Sequence, residues 1–154
     1  DDPAWASLSR IEQGEGDLGA RMRHVTEFLL ARFDAALLLG ADMPQITASD
    51  IAFAIDGLQE SQHVLGPSED GGFWLFATRG NVPPATWSST PWSQADTATR
   101  FSAALGDAKM TRLRSLRDVD VANDLPPLLR DLDALEQPLT EQHRLAEWLR
   151  TKLR

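Results

Sequence analysis

Five consecutive apolar residues run from Ala35 to Leu39, and no other segment limits the fold of this chain as strongly. An apolar run of this kind is typical of a strand buried on both faces, as in a parallel sheet. Further short runs that suit strands follow at 63–65 and 73–77, and segments with helical spacing lie elsewhere in the chain. Strands that alternate with helices build α/β domains. The sequence therefore predicts an α/β fold with a mostly parallel sheet.

Two helix starts can be recognised from their capping residues. The first helix is predicted to begin after Asp17 as N-cap, and its apolar face would carry Leu18, Met22, Val25 and Leu29. The second is predicted after Thr47, where Asp50 stands in the position of a capping-box partner. Its buried side would carry Ile51, Ile55 and Leu58.

The second half of the chain has weaker patterns. We expect an ordered loop over 79–92, a helix capped by Ser93 that ends at Leu105, and a weak strand over 111–116. Pro126 suits the first turn of a later helix. The last helix is predicted over 139–153, with its apolar side chains packed on the body of the protein: Leu145, Trp148, Leu149 and Leu153.

Composition removes several classes of protein. The 154 residues suit one domain, 1–154, and the net charge of −8 disfavours nucleic acid as a partner. No apolar run approaches the ~18 residues of a membrane span. The absence of cysteine excludes a disulfide framework, a zinc site with thiolate ligands and a thiol nucleophile. We take the cytoplasm as the default compartment.

The strongest candidate for chemistry is Asp42, which follows the buried strand through Gly40 and Ala41. Ligands of open α/β sheets bind beyond the carboxyl ends of strands, and hard carboxylate oxygens favour divalent cations. Asp42 is thus a candidate metal ligand. On the pattern alone, a role in satisfying the amides of the turn is an equal alternative.

Three weaker candidates lie elsewhere in the chain. Glu69 and Asp70 precede two glycines in a loop that presents carboxylates or, alternatively, forms a hairpin turn. The glycine-rich segment 13–22 opens a helix whose first amides attract anions. In the Asp118-x-Asp120 pair, Asp120 is more often an N-cap than a ligand. The three histidines lack metal-ligand spacing, and no serine lies in a G-x-S-x-G motif.

Four blocks, taken in order, resemble the DUF2064 family. They read Gln-Gly-x-Gly-Asp-Leu-Gly-x-Arg-Met, Gly-Ala-Asp-Met-Pro-x-Ile-Thr, Leu-Gly-Pro-Ser-Glu-Asp-Gly-Gly-Phe-Trp-Leu and Asp-Val-Asp-Val-x-x-Asp-Leu, and they span residues 13–125. That family belongs to the nucleotide-diphospho-sugar transferase superfamily with a glycosyltransferase-A-like fold. It stands near the molybdenum-cofactor guanylyltransferases. The resemblance implies a three-layer α/β/α domain and metal-dependent glycosyl or nucleotidyl transfer.

The resemblance also implies roles for individual residues. Asp42 would carry Mg²⁺ or Mn²⁺ against the nucleotide phosphates, and Asp120 would complete the metal sphere. The border of the nucleotide or nucleotide-sugar donor would be Gly16, Asp17, Leu18, Gly19 and Arg21. The side of a small-molecule acceptor would be formed by Gly71 and Gly72, with Asp70 or Glu69 as catalytic base. The alternative is a non-catalytic nucleotide- or sugar-binding domain of the same fold.

Family members usually begin with a strand and a glycine-containing, Lys/Arg-bearing loop, and nothing similar precedes Gln13. We therefore expect an N-terminally incomplete domain. Without its first β/α units, the strand that contains Leu37 to Leu39 would expose an apolar edge, which favours self-association. We also expect the loop 69–72 to face the same cleft as Asp42, because both follow strands that end at one rim of the sheet.

Overall fold

The structure of the chain is a computed structural model that describes residues 6–153. Residues 1–5 and 154, which the single-domain prediction includes, lie outside the described residues. The helices are α1 (Leu18–Leu30), α2 (Ala48–Glu60), α3 (Pro84–Ser89), α4 (Thr97–Ala104), α5 (Leu125–Asp133) and α6 (Thr140–Lys152). The strands are β1 (Ala36–Leu39), β2 (His63–Pro67), β3 (Phe73–Thr78) and β4 (Met110–Arg112). No helix within 6–153 is both long and apolar enough to cross a membrane.

The sheet is mixed, so the prediction of a mostly parallel sheet is wrong for the strand pairing. Within residues 6–153 the strand order is β1-β3-β2-β4, and β3 pairs antiparallel with both of its neighbours. The reason is the short connection over 68–72, which joins β2 and β3 as a hairpin and leaves no room for a crossover helix. Because β3 alone is reversed, β1, β2 and β4 still point the same way. Their carboxyl ends therefore share one rim.

The interior is divided among three clusters of buried side chains. One joins α2 to alternate residues of the sheet and contains Met43, Ala54, Leu58, Val64, Trp74, Leu75, Ala77 and Leu116. The next joins the sheet to α3 and α4 and contains Leu65, Phe76, Val82, Trp87, Ala98, Phe101 and Leu105. The third lies between α5 and α6 and contains Leu128, Leu132, Ala146 and Leu149. The first two clusters use neighbouring strand residues because side chains alternate across a strand.

Both predicted N-caps are present, but the buried helix faces differ from the predicted ones. Asp17 accepts a hydrogen bond of 2.8 Å from the amide of Ala20, and the capping box of Thr47 and Asp50 is complete. Leu18 is 46% exposed and Ile55 is 52% exposed, so neither belongs to the core. In α2 the contact face carries Leu58, as predicted, together with Ala54 and Gly57, and Ile51 packs against the core. Small residues occupy the line of closest contact because they let α2 lie close to the sheet.

The remaining differences concern the second half of the chain. The segment predicted as a loop contains α3, which has proline in its first turn, and the N-cap position of α4 is Asp96 rather than Ser93. The weak strand is only three residues long, and an isolated bridge pairs Ser68 with Leu116 farther along. In α6 the side chain of Leu149 is buried, whereas Trp148 is 50% exposed. Pro126 does occupy the first turn of α5.

Candidate functional site

Three loops meet at the rim where β1, β2 and β4 end. They span 40–46, 68–72 and 113–121. The amide of Val119 donates to the carbonyl of Asp42 at 3.2 Å, and the amide of Glu69 donates to the carbonyl of Leu116 at 2.9 Å. These hydrogen bonds fix the loops relative to one another. The Glu69–Asp70 loop and Asp42 therefore lie at the same end of the sheet, and the prediction that they face one cleft stays a prediction.

Asp118 is the electrostatic centre of this rim. Burial raises the pKa of its carboxyl, and the negative charges of Asp70, Asp120 and Asp42 raise that pKa further. Four carboxylates therefore lie within electrostatic range of one another. Sequence reasoning noticed the Asp-x-Asp pair but chose Asp120 as the ligand. Like charges gathered in this way repel, and a bound cation would relieve the repulsion.

The donor chemistry of the rim fits Mg²⁺ or Mn²⁺, since both cations prefer carboxylate oxygens. Within residues 6–153, however, no three acidic or histidine side chains already enclose a position for a metal ion. Gly40 contributes space: a Cβ atom at this position would stand 3.1 Å from Oδ1 of Asp42. A side chain at position 40 would therefore crowd the carboxylate of Asp42.

The loop 68–72 holds both acids that were predicted as catalytic. Oδ1 of Asp70 accepts hydrogen bonds from Oγ of Ser68 at 2.6 Å and from the amide of Gly72 at 2.8 Å. No hydrogen bond reaches Oδ2 of Asp70 from within 6–153. Glu69 forms an ion pair with Arg117 at 2.5 Å. Oδ2 of Asp70 is thus more available to a ligand than the carboxylate of Glu69.

Gly71, predicted on the acceptor side, has an essential place in the backbone of the same loop. Its φ angle is +93°, and a Cβ atom there would stand 1.8 Å from the carbonyl oxygen of Ala95. Its own carbonyl accepts a hydrogen bond from Ala98, near the start of α4. These contacts explain why the turn needs glycine whatever it binds.

The residues of the glycine-rich segment 13–22 lie in different environments. Leu18 and Arg21 line a groove of about 280 Å³ together with Gly40, at the end of β1. Gly16 and Asp17 line another hollow, beside α3. Gly19 is buried, and a Cβ atom there would stand 2.2 Å from Nε1 of Trp92. Of the five residues assigned to the nucleotide, the structure therefore brings two beside the loop of Asp42.

The capping role considered for Asp120 belongs to a neighbouring residue. Oδ2 of Asp124 accepts from the amides of Asp120 and Val121 at 3.0 and 2.9 Å. These two hydrogen bonds lower the pKa of the exposed Asp124 carboxyl. The side chain of Asp120 makes no hydrogen bond within residues 6–153, so it does not need to leave a cap in order to bind a ligand.

Two glutamines that sequence reasoning missed hold the loop of Asp42. Nε2 of Gln142, on α6, donates to the carbonyl oxygens of Pro44 and Ile46, at 2.8 Å each. The side chain of Gln45 donates to the carbonyl of Arg117. No local pattern could reveal these contacts, because the partners of Gln142 lie almost a hundred residues earlier in the chain.

Comparison with known proteins supports the fold and identifies the family. A solved structure from Desulfovibrio desulfuricans G20, assigned provisionally to the nucleotide-diphospho-sugar transferases, is similar with a TM-score of 0.80 and 24% sequence identity. The match covers 90% of this chain and 64% of that protein. No curated protein matches the chain. Residues 2–94 match DUF2064, a family of uncharacterized proteins conserved in bacteria. More than half of the sequence lies inside that match, and the chain belongs to the DUF2064 family.

Proposed function

We propose that this chain takes part in metal-dependent transfer from a nucleotide-activated donor, either glycosyl or nucleotidyl. The observation that carries the proposal is the group of carboxylates around Asp118, at the shared carboxyl ends of β1, β2 and β4. Open α/β sheets bind their ligands at this position. The solved relative adds support, because it shares the fold and is assigned provisionally to the nucleotide-diphospho-sugar transferases.

Each part of the rim has a role in this proposal. Asp42, Asp118 and Asp120 would hold Mg²⁺ or Mn²⁺, which neutralises phosphate charge in transfer reactions. Arg21 lines the groove beside Gly40 and would contact the donor phosphates through its guanidinium. Oδ2 of Asp70 would accept the proton of the acceptor hydroxyl. Glu69, paired with Arg117, would keep its loop in position.

Calorimetry with Mn²⁺ tests the metal site directly. We expect Asp42→Asn and Asp118→Asn each to weaken Mn²⁺ binding by at least about tenfold, since each replaces a charged carboxylate by a neutral amide. The matched control is Asp107→Asn, an exposed aspartate in the turn after α4, and it should bind as the wild type does. Equal Mn²⁺ affinity in all four proteins would reject the site. Nucleotide sugars are then added with and without Mn²⁺ to identify the donor.

A second function, binding without transfer, is favoured by the contacts of the two candidate bases. Oδ1 of Asp70 holds its own turn and Glu69 is paired, so both acids have structural partners. Incubation of a bound nucleotide sugar with candidate acceptors separates the two functions. Release of the free nucleotide together with a new product supports transfer, whereas binding with no product supports a binding domain.

A further inference from the structure

A large open groove lies away from the carboxylates, between α2, β4 and the chain that follows α5. Its volume is about 780 Å³. The residues that carry the argument are Phe53, Asp56, Glu60, Arg112, Arg114 and Glu136. None of them was assigned a role by the sequence patterns. The groove has the size of a site for a small molecule.

One wall of the groove is a face of α2 that does not serve the core. Phe53, Asp56 and Glu60 follow one another at helical spacing, and Phe53 is 62% exposed. Between them Gly57 faces the sheet, where a Cβ atom would stand 3.0 Å from Cγ2 of Val64. The glycine lets α2 lie close to β2 and β4. The helix thus presents an aromatic side chain and two carboxylates on its exposed side.

The opposite wall carries an arginine in a fixed position. Nε and Nη2 of Arg114 donate to the two carboxylate oxygens of Asp50, at 2.6 and 2.7 Å. Asp50 is buried and is also held by the capping box of α2. No hydrogen bond of Nη1 is found within residues 6–153, so this nitrogen keeps its two hydrogens for a ligand. An arginine fixed in this way binds an acceptor oxygen at little entropic cost.

The charges of the groove select against anionic ligands. Asp50 neutralises Arg114, Nη2 of Arg112 donates to Oγ of Ser102 on α4 at 3.4 Å, and the carboxylates of Asp56, Glu60 and Glu136 also line the groove. A phosphate or carboxylate ligand would be repelled. The carboxylates accept hydrogen bonds and Arg114 donates them, so the groove suits groups that can do both. Hydroxyl groups have this property. The exposed ring of Phe53 suits the apolar face of a pyranose.

The groove shares wall residues with a smaller hollow near the rim of the sheet. Arg114 and Leu135 also line a smaller hollow of about 190 Å³, which reaches Glu69 and Arg117. In its wall Gln45 is buried, and its Oε1 atom has no hydrogen-bond partner. A chain of sugar units in the large groove would therefore approach the loop 68–72 from the side of α5.

We propose that this groove binds a neutral saccharide, with one pyranose on Phe53 and a hydroxyl on Nη1 of Arg114. Binding there requires nothing from the metal site. The further role of the groove as the acceptor site rests on the function proposed above. A saccharide bound in the groove would supply the hydroxyl that receives the transferred group at the loop of Asp70.

Titrations followed by amide NMR signals test this proposal. The neutral probes are the methyl glycosides of glucose, galactose and mannose, N-acetylglucosamine and maltotriose, and the anionic probe is glucuronate. We expect at least one neutral probe to shift the signals of Gly57, Thr111 and Glu136, and to bind more tightly than glucuronate. Phe53→Ala should raise the dissociation constant about tenfold, and Phe53→Trp should leave it unchanged. The control is Ile55→Ala, since Ile55 is exposed on another face of the same helix.

Three outcomes would overturn the proposal. No neutral probe shifts the groove signals, or Phe53→Ala and Ile55→Ala affect binding equally, or glucuronate binds best. A fourth is a change of molecular mass in light scattering for Phe53→Ala, which would make this face an interface between copies. The Mn²⁺ affinity of the wild-type protein is measured in parallel. If the wild type binds a saccharide but no Mn²⁺, the function proposed above is refuted and the saccharide site in the groove still stands.

Discussion

Replacement of Gln142 by leucine tests whether α6 holds the loop of Asp42. Leucine keeps a similar volume and a good helix propensity. It removes three hydrogen bonds of 2.8 Å: two to the carbonyls of Pro44 and Ile46, and one from the amide of Leu139. At about 1 kcal/mol for each bond, the free energy of unfolding should fall by about 3 kcal/mol. For a chain of this length that loss lowers Tm by about 6–12 °C.

Urea unfolding and calorimetry measure this loss, and Mn²⁺ titration measures its consequence at the rim. The control is Gln59→Leu, because Gln59 is exposed on α2 and its replacement should change stability by less than about 0.5 kcal/mol. A second variant, Gln142→Glu, keeps an acceptor for Leu139 but brings a negative charge against two carbonyl oxygens. We expect it to be less stable than Gln142→Leu at pH 7 and to recover as the pH falls, since a protonated carboxyl can donate one hydrogen bond again.

The result that refutes the reasoning is a Gln142→Leu protein that unfolds within about 0.5 kcal/mol of the Gln59→Leu control. In that case the loop of Asp42 would hold its shape without α6. If stability falls as expected while Mn²⁺ affinity is unchanged, Gln142 supports the fold but not the carboxylates. A loss of both identifies Gln142 as a positioning residue.

Four further outcomes are expected. Asp118→Asn should raise the free energy of unfolding at pH 7, because the raised pKa of Asp118 means that its charge destabilises the fold. This gain should vanish below the ordinary carboxyl pKa of 3.8 in urea titrations, where the wild-type group is protonated in both states. Gly71→Ala should cost more than about 2 kcal/mol in calorimetry, since its Cβ atom would overlap Ala95; an unchanged Tm would contradict this reading. Burial lowers the pKa of His63, so stability should fall as the pH drops below 6.5, and the pH profile of His63→Gln should be flatter. Light scattering should detect association through β1, and Leu39→Lys should yield a monomer; a wild-type monomer would contradict the edge argument.

Local features of the fold could be predicted from the sequence, whereas long-range ones could not. The caps of α1 and α2 depend on residues three positions apart, and both were predicted from Asp17 and Thr47. The reversal of β3 depends on which strands become neighbours. The glycines after Asp70 do favour a hairpin, but the apolar run over 73–77 equally suits a parallel strand. Ile55 was misplaced because hydrophobicity alone does not reveal that α2 uses small residues for close contact.

The same distinction between local and long-range features holds for the candidate site. Asp42 and Asp70 could be found because strand ends are visible in sequence and share a rim. Asp118 is more buried than Asp120, and an Asp-x-Asp pair does not contain that information. Gln142 was beyond reach, because its partners are set by the docking of α6 and not by any neighbour in the chain.

The position of β3 between β1 and β2 has a consequence for the order of folding. A ribosome completes β1 well before β3, the one strand that β1 pairs with in residues 6–153. The β2–β3 hairpin closes the shortest loop of the sheet and should form first, with β1 and β4 docking on its two sides afterwards. The three loops that carry the carboxylates therefore meet only in the final stage. The metal site proposed above would form only after the loop 113–121 has also left the ribosome, so Mn²⁺ capture late in synthesis would serve as a kinetic marker of completed folding.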